Sequence, residues 1–269
     1  MTRADLARKT IDDFSEQWSR YPDNSGHYGS VDYFADVLDG LLTIDDVRDA
    51  KVGDIGSGSG RIVDMLLDAG AARVWAVEPA DGAFAALKAN TAARADRIDY
   101  LHMRGEDVPS GLDLDLVVSL GVIHHIPDPM PTMRAVHGAL RRGGRCFIWL
   151  YGREGNEAYL AIAEPLRRVT TRLPAPVLAA LSSVLNVALA VYIQLCAVMP
   201  LPLHTYARKV LKPLAWDKRR LIIYDQLNPA YAKYYTESEA KAVMADAGFT
   251  DVRVRRRHGY SWQVLGTKA

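Results

Sequence analysis

Three glycines at alternate positions, Gly56, Gly58 and Gly60, stand directly behind the apolar run and carboxylate of VGDIG. Residues without Cβ let the backbone turn sharply and approach a ligand, and a helix opening behind them offers it unpaired N–H groups. This is the pattern of a nucleotide-binding turn, and its neighbours discriminate among nucleotides. A phosphate-cradling loop needs G-x-x-x-x-G-K-[ST], and no lysine follows here. A dinucleotide fingerprint needs G-x-G-x-x-G, but its third glycine position falls on Arg61 counted from Gly56 and on Val63 counted from Gly58. What is present is D-x-G-x-G-x-G. Asp54 could meet the ammonium of an amino-acid moiety, and Glu78, 18 residues beyond Gly60, could accept two hydrogen bonds from ribose hydroxyls. A nucleoside joined to an amino acid satisfies both carboxylates. Farther on, His124 and His125 supply imidazoles able to take a proton near neutral pH.

These residues sit on an alternation of strands and helices that begins near residue 50. KVGDIG, RVWAVEP, RIDYLHMR, DLDLVVSL and RCFIWLYG read as strands. RIVDMLLDAG, DGAFAALKANTAA and PMPTMRAVHGALRRGG read as the helices between them. Near-continuous apolar strands in such an alternation imply a parallel sheet covered on both faces. The expected fold is therefore α/β, a doubly wound, seven-stranded, mostly parallel sheet. Its last two strands, TDVRVRRR and YSWQVLG, flank His258 and Gly259. Thr236 and Glu239 have capping-box spacing at the start of a last helix. Arg253, Arg255 and Arg257 share one strand face by period two and read as a solvated surface.

Two segments stand outside this rhythm. Residues 1–45 read as an N-terminal helical cap, with Phe14 and Trp18 one turn apart. Residues 153–215 form a helical insertion with no Asp, Glu, Lys or Arg between Arg172 and Arg208. The main domain is then 46–152 and 216–269. Val177 to Met199, without charge or proline, would make a helix of about 34 Å, long enough for a bilayer core of roughly 30 Å. A single crossing would leave the last two strands on the wrong side of the membrane from their sheet. The insertion is expected instead to form a lid over the acceptor, a homo-oligomer interface, or a peripheral membrane contact.

Together DIGSGSG, AVEP, RGEDVP, SLGVIHHIPDP and LRRGGRCFIWLYG resemble the class I S-adenosylmethionine-dependent methyltransferases. The resemblance covers most of the chain from residue 50 and implies that TDVRVRRR and YSWQVLG close the sheet as a C-terminal antiparallel hairpin. It implies S-adenosyl-L-methionine as cofactor, with Asp54, Gly56, Ser57, Gly58 and Gly60 lining its methionine and ribose part and Glu78 holding the ribose. Gly105, Glu106 and Asp107 would border the adenine, and Ser119, Leu120 and Val122 would pass beneath the sulfonium. Many relatives carry an aspartate where this chain has Arg104, which leaves adenine recognition to backbone groups around Gly105 to Asp107.

Methyl transfer is an in-line displacement at an activated carbon, so the enzyme aligns the nucleophile and, for oxygen or nitrogen, removes a proton. His124 and His125, at the carboxyl edge of the sheet, are candidate bases, with His124 slightly favoured by position; Tyr151 and Asp225 could also face the acceptor. Trp18 and Tyr21 could close over the cofactor. The apolar insertion points to a small hydrophobic acceptor and to O-methylation. The alternatives are an NAD-dependent oxidoreductase or a non-catalytic cofactor-binding or membrane-associated scaffold. A net charge of +1 gives no bias toward nucleic acid, so no nucleic-acid partner is expected. The N-terminal MTRADLARKTIDDF lacks a secretion signal's apolar core, and Cys146 and Cys196 lack ligand-spaced histidines. A cytoplasmic chain without disulfide or structural metal is expected.

Overall fold

The first strand of the computed structural model, which describes residues 2–269, is β1, Lys51–Ile55, at the centre of the sheet. Around it lie β2 (Arg73–Val77), β3 (Ile98–Leu101), β4 (Leu114–Leu120) and β5 (Leu140–Tyr151), all parallel. The hairpin β6 (Thr250–Arg257) and β7 (Ser261–Thr267) completes a seven-stranded sheet in the order β3-β2-β1-β4-β5-β7-β6, with β7 antiparallel to both neighbours. Strand order reverses between β1 and β4, which opens a crevice at their carboxyl ends.

The covering helices follow in chain order: α1 (Arg3–Arg20), α2 (Val31–Leu38), α3 (Arg61–Asp68), α4 (Asp81–Asn90) and α5 (Met130–Ala139). Then come α6 (Glu157–Thr170), α7 (Ala175–Val198), the short α8 (His204–Tyr206), α9 (Trp216–Leu227) and α10 (Glu237–Ala245). Thr236 caps α10 through the expected box with Glu239. The glycine-ended helix of the sequence reading is shorter than expected. It stops at Ala139, and LRRGG already belongs to β5 because Leu140 finds Leu114 as a strand partner. Two apolar layers bury the sheet, one around Phe34, Leu66 and Phe147 and the other around Ile123, Met133 and Trp262. Cys146 and Cys196 are both buried and free.

The N-terminal cap is tied to both ends of the domain. A Gly82 N–H donates to Ser15 Oγ at 2.8 Å, holding α1 over the start of α4. Of the β6 arginines read as a solvated face, Arg253 and Arg255 are exposed and Arg257 is not. Arg255 pairs with Asp39 at 2.8 Å, and Arg257 is buried against Asp36. Guanidinium groups at the carboxyl end of α2 satisfy carbonyls left over by the helix, which period-two spacing on β6 does not reveal. In the insertion, α9 packs on α6 and α7, so the helical unit continues to Leu227 instead of ending at residue 215.

Candidate active site

One cavity of about 770 Å³ runs from the glycine turn to the helices of the insertion. At its floor the sequence dictates the shape. Gly58 holds a left-handed φ of +55°, and a Cβ there would come within 3.2 Å of the Trp18 ring, so α1 lays an indole directly on the turn. A Cβ on Gly56 would stand 2.4 Å from Val122, which brings the end of β4 against the same loop. Gly56, Ser57, Gly58, Glu78, Gly105, Glu106, Leu120 and Val122 all line the cavity.

Glu78 is anchored by its backbone neighbours. Oε2 accepts the Gly58 N–H at 2.8 Å and Oε1 the Ala80 N–H at 2.9 Å. Each oxygen keeps a second lone pair, enough for the two hydroxyls of a ribose. Burial pushes its carboxyl up to about 7, against those two hydrogen bonds. Asp54 is sealed more completely at 1% exposure, and neither carboxylate oxygen has a donor. Burial raises it to about 7, against the nearby Ser57 hydroxyl, which donates to the Asp54 carbonyl at 3.1 Å, and with a smaller push from Glu78. An orphaned carboxylate beneath the turn suits a cationic ligand. Asp54 nevertheless does not line the cavity, so the direct ammonium contact expected from sequence is not what the geometry offers.

Three further expectations are corrected in the same way. Gly60 is buried with its Cβ position against Leu87 and Thr91, and so serves the packing of α3 on α4. Ser119 donates its hydroxyl to the Ile55 carbonyl at 3.0 Å, pinning β4 to β1 below the cavity floor. Asp107 is exposed and closes the Gly105 turn through its N–H to the Arg104 carbonyl at 3.0 Å. None of these three lines the cavity.

The histidine pair separates clearly. His124, favoured by position, is fully buried, with both ring nitrogens unpartnered and its ring stacked 3.7 Å from Tyr151. Burial holds its pKa well below the ordinary value, and it does not line the cavity. His125 does line it. Its Nδ1 lies 2.8 Å from the Tyr231 carbonyl, which can only accept, so Nδ1 carries the proton and Nε2 the free lone pair. Nε2 has no protein partner and, like the rest of the ring, is buried. Burial lowers the His125 pKa, partly opposed by the charge of Asp225, so the ring is neutral at physiological pH.

Tyr151 and Asp225 also lie in the wall, in a polar cluster that is otherwise hard to read from sequence. Tyr151 donates to Asp225 Oδ2 at 3.0 Å and accepts from Gln226 Nε2 at 2.6 Å. Gln17 of α1 donates to the other Asp225 oxygen at 2.8 Å. Tyr159 and Tyr234 both donate to Gln226 Oε1, at 2.9 and 3.0 Å. Gln17 and Gln226 were missed. A glutamine beside Phe14 and Trp18 on a helix is the sequence signal that could have found the first. Tyr21 packs on Tyr224 instead of the cavity, at a ring separation of 5.2 Å.

A methyltransferase-domain family model matches residues 53–148, the segment carrying the glycine turn, Glu78 and the histidines. The chain carries a methyltransferase domain over residues 53–148. The methyltransferase in a Haloferax volcanii complex with the Trm112 activator superposes with a TM-score of 0.57 at 14% identity, over 96% of this chain and 98% of that one. A Thermotoga maritima S-adenosylmethionine-dependent methyltransferase gives 0.52 at 14%, over 88% and 89%. Curated relatives include a tRNA U34 carboxymethyltransferase of Alteromonas mediterranea, 31% identical over 44% of this chain and 37% of its own length. A ubiquinone biosynthesis O-methyltransferase of Pseudomonas aeruginosa is 28% identical over 41% and 47%. The chain thus spans less than half the length of these curated relatives. The methyltransferase domain's cofactor is S-adenosylmethionine, and the lone pairs of Glu78, the cradle at Gly56 and Gly58 and the orphaned Asp54 all suit it.

Proposed function

We propose that this chain methylates a hydroxyl on a small, largely apolar acceptor. The observation that carries the reading is the single cavity joining the glycine turn to the insertion, with His125 in its wall. Bound S-adenosylmethionine supplies an electrophilic methyl group at its sulfonium. Glu78 holds the ribose hydroxyls, and the Gly56–Gly58 backbone, with Trp18 above it, encloses the adjoining part. His125 takes the hydroxyl proton on Nε2, and the fixed Nδ1–H···Tyr231 bond keeps that nitrogen free and the ring aligned. Tyr151, Asp225 and Gln226 present polar groups that orient the acceptor. The opposite wall, built from Leu166, Leu185, Leu189, Leu203 and Val210, accepts its apolar body and excludes water. The mostly apolar wall favours a small molecule over a nucleic-acid base, although one group of relatives bears a tRNA name.

Calorimetric titration with S-adenosylhomocysteine and NAD, followed by mass spectrometry over apolar phenols, polar amines and tRNA, tests the reading. Binding of S-adenosylhomocysteine and methylation of the phenols are expected. Binding of NAD alone, or methylation confined to amines or tRNA, would overturn it.

A further inference from the structure

The insertion has an outer surface that the proposed reaction does not use. On α7, Val177, Val184, Val187, Val191, Leu195 and Val198 recur at helical spacing and all face solvent, with exposures from 44% to 79%. Mean hydropathy over an 18-residue stretch of the helix reaches 2.0. The opposite side is committed to the protein. Leu178 and Ile193 are buried, and Asn186 donates to the Trp216 carbonyl at 2.9 Å. The helix is therefore half in the fold, and the strands that close the sheet come after it, so it does not cross a membrane.

Charge identifies the occupant of this face. Between Glu164 and Asp217 the chain has no Asp or Glu, while Arg168 and Arg172 stand exposed before α7 and Arg208, Lys209 and Lys212 after it. An apolar stripe with cations at both ends matches a bilayer bearing anionic headgroups. A second copy docked on the same face by twofold symmetry would confront cations with cations and find no carboxylate in the segment.

We infer that α7 and its flanking cations dock the protein on an anionic lipid surface, with the valine stripe at the acyl boundary. Ile162 of α6 is 73% exposed and also lines the cavity, so the cavity reaches the surface on the insertion. Leu185, Leu189 and Tyr192, on the inner side of α7, line the same cavity. One helix thus separates the lipid from the acceptor site, and an apolar acceptor dissolved in the bilayer has a short path to it.

The test is flotation of the purified full chain with vesicles of phosphatidylcholine alone or mixed with phosphatidylglycerol, without cofactor or acceptor. Its outcome is thereby independent of methyl transfer. Binding to the mixed vesicles, weakened by high salt, is expected. Arg208→Gln, Lys209→Gln and Lys212→Gln together should lower the partition on the order of 100-fold, at about fivefold per cation. Val184→Glu with Val191→Glu should abolish it, while far-ultraviolet dichroism and S-adenosylhomocysteine affinity stay unchanged. Failure of the parent chain to float, equal binding to both vesicle types, or unaltered flotation of either variant would overturn the inference. So would a dimer in sedimentation that the double glutamate variant converts to monomer, because the occupant would then be a second copy. The cation variant keeps the result decisive even where the valine variant misfolds.

Discussion

Replacing Asp54 by asparagine should make the cofactor-free protein more stable and a poorer binder of its cofactor. The carboxylate is 1% exposed, has no donor on either oxygen, and is lifted by burial from its ordinary 3.8 to about 7. At 1.36 kcal/mol per pH unit that displacement corresponds to about 4 kcal/mol against the native state once the group is ionised. The sign follows from proton binding. Below about pH 4 the carboxyl is protonated in both states and costs nothing. Between there and about pH 7 the unfolded chain ionises while the native one holds its proton, so stability falls as pH rises. Above pH 7 the penalty is complete. Asparagine keeps the shape, removes the charge and leaves a buried amide without partners, which returns about 1–3 kcal/mol of the gain. The net expectation at pH 8 is about 1–3 kcal/mol, or a rise in Tm on the order of 5 °C for a chain of this size. Thermal melts of both proteins at pH 8 and pH 4.5, with S-adenosylhomocysteine titrations at pH 8, read this out. The gain should be large at the higher pH and small at the lower, with the ligand bound at least about tenfold more weakly. An equal Tm change at both pH values, or a lower Tm at pH 8, would refute the argument that an unpartnered charge is stored under the turn.

Three other outcomes follow from the cavity wall. His125→Ala should lower kcat about 10²-fold or more with S-adenosylhomocysteine affinity unchanged, whereas His124→Ala should lower Tm and spare kcat of the folded fraction. Because His125 acts when neutral and burial holds its pKa below 6.5, the parent rate should stay flat from about pH 8 to 6.5 and fall only below that. Tyr151→Phe deletes the bonds to Asp225 and Gln226 and should raise acceptor KM about 2–10-fold without moving cofactor KM, measured by steady-state kinetics on both substrates. Gly58→Ala forces a Cβ toward the Trp18 ring at a φ of +55°, and should cost about 1 kcal/mol of stability and at least about tenfold in S-adenosylhomocysteine affinity by calorimetry.

What the sequence could reveal, and what it could not, divides along a physical line. The sheet was legible because each strand carries its own signal: an apolar run, a turn residue, a period. The places of Glu78, Gly56 and Gly58 were legible because strand ends and Cβ-free turns fix where a residue must stand before any packing is known, whereas Gly60 in the same turn serves helix packing. The histidines show where this stops. His124 and His125 are neighbours in a 3-10 turn, and spacing assigns both to the same edge of the sheet. Which one meets the cavity depends on two distant partners, the Tyr231 carbonyl that captures Nδ1 of His125 and the Tyr151 ring that stacks on His124. The same holds for Asp225, whose oxygens are claimed by Gln17, 208 residues away, and by Tyr151, 74 residues away. Arg257 carries the point to the surface: period two placed it with Arg253 and Arg255, yet it is buried because Asp36 of α2 waits across the sheet edge. Local pattern settles which backbone groups reach a ligand. The choice of base rests on which side chains are already satisfied elsewhere, so that in this fold the free Nε2 of His125 is defined by the bond its other nitrogen makes.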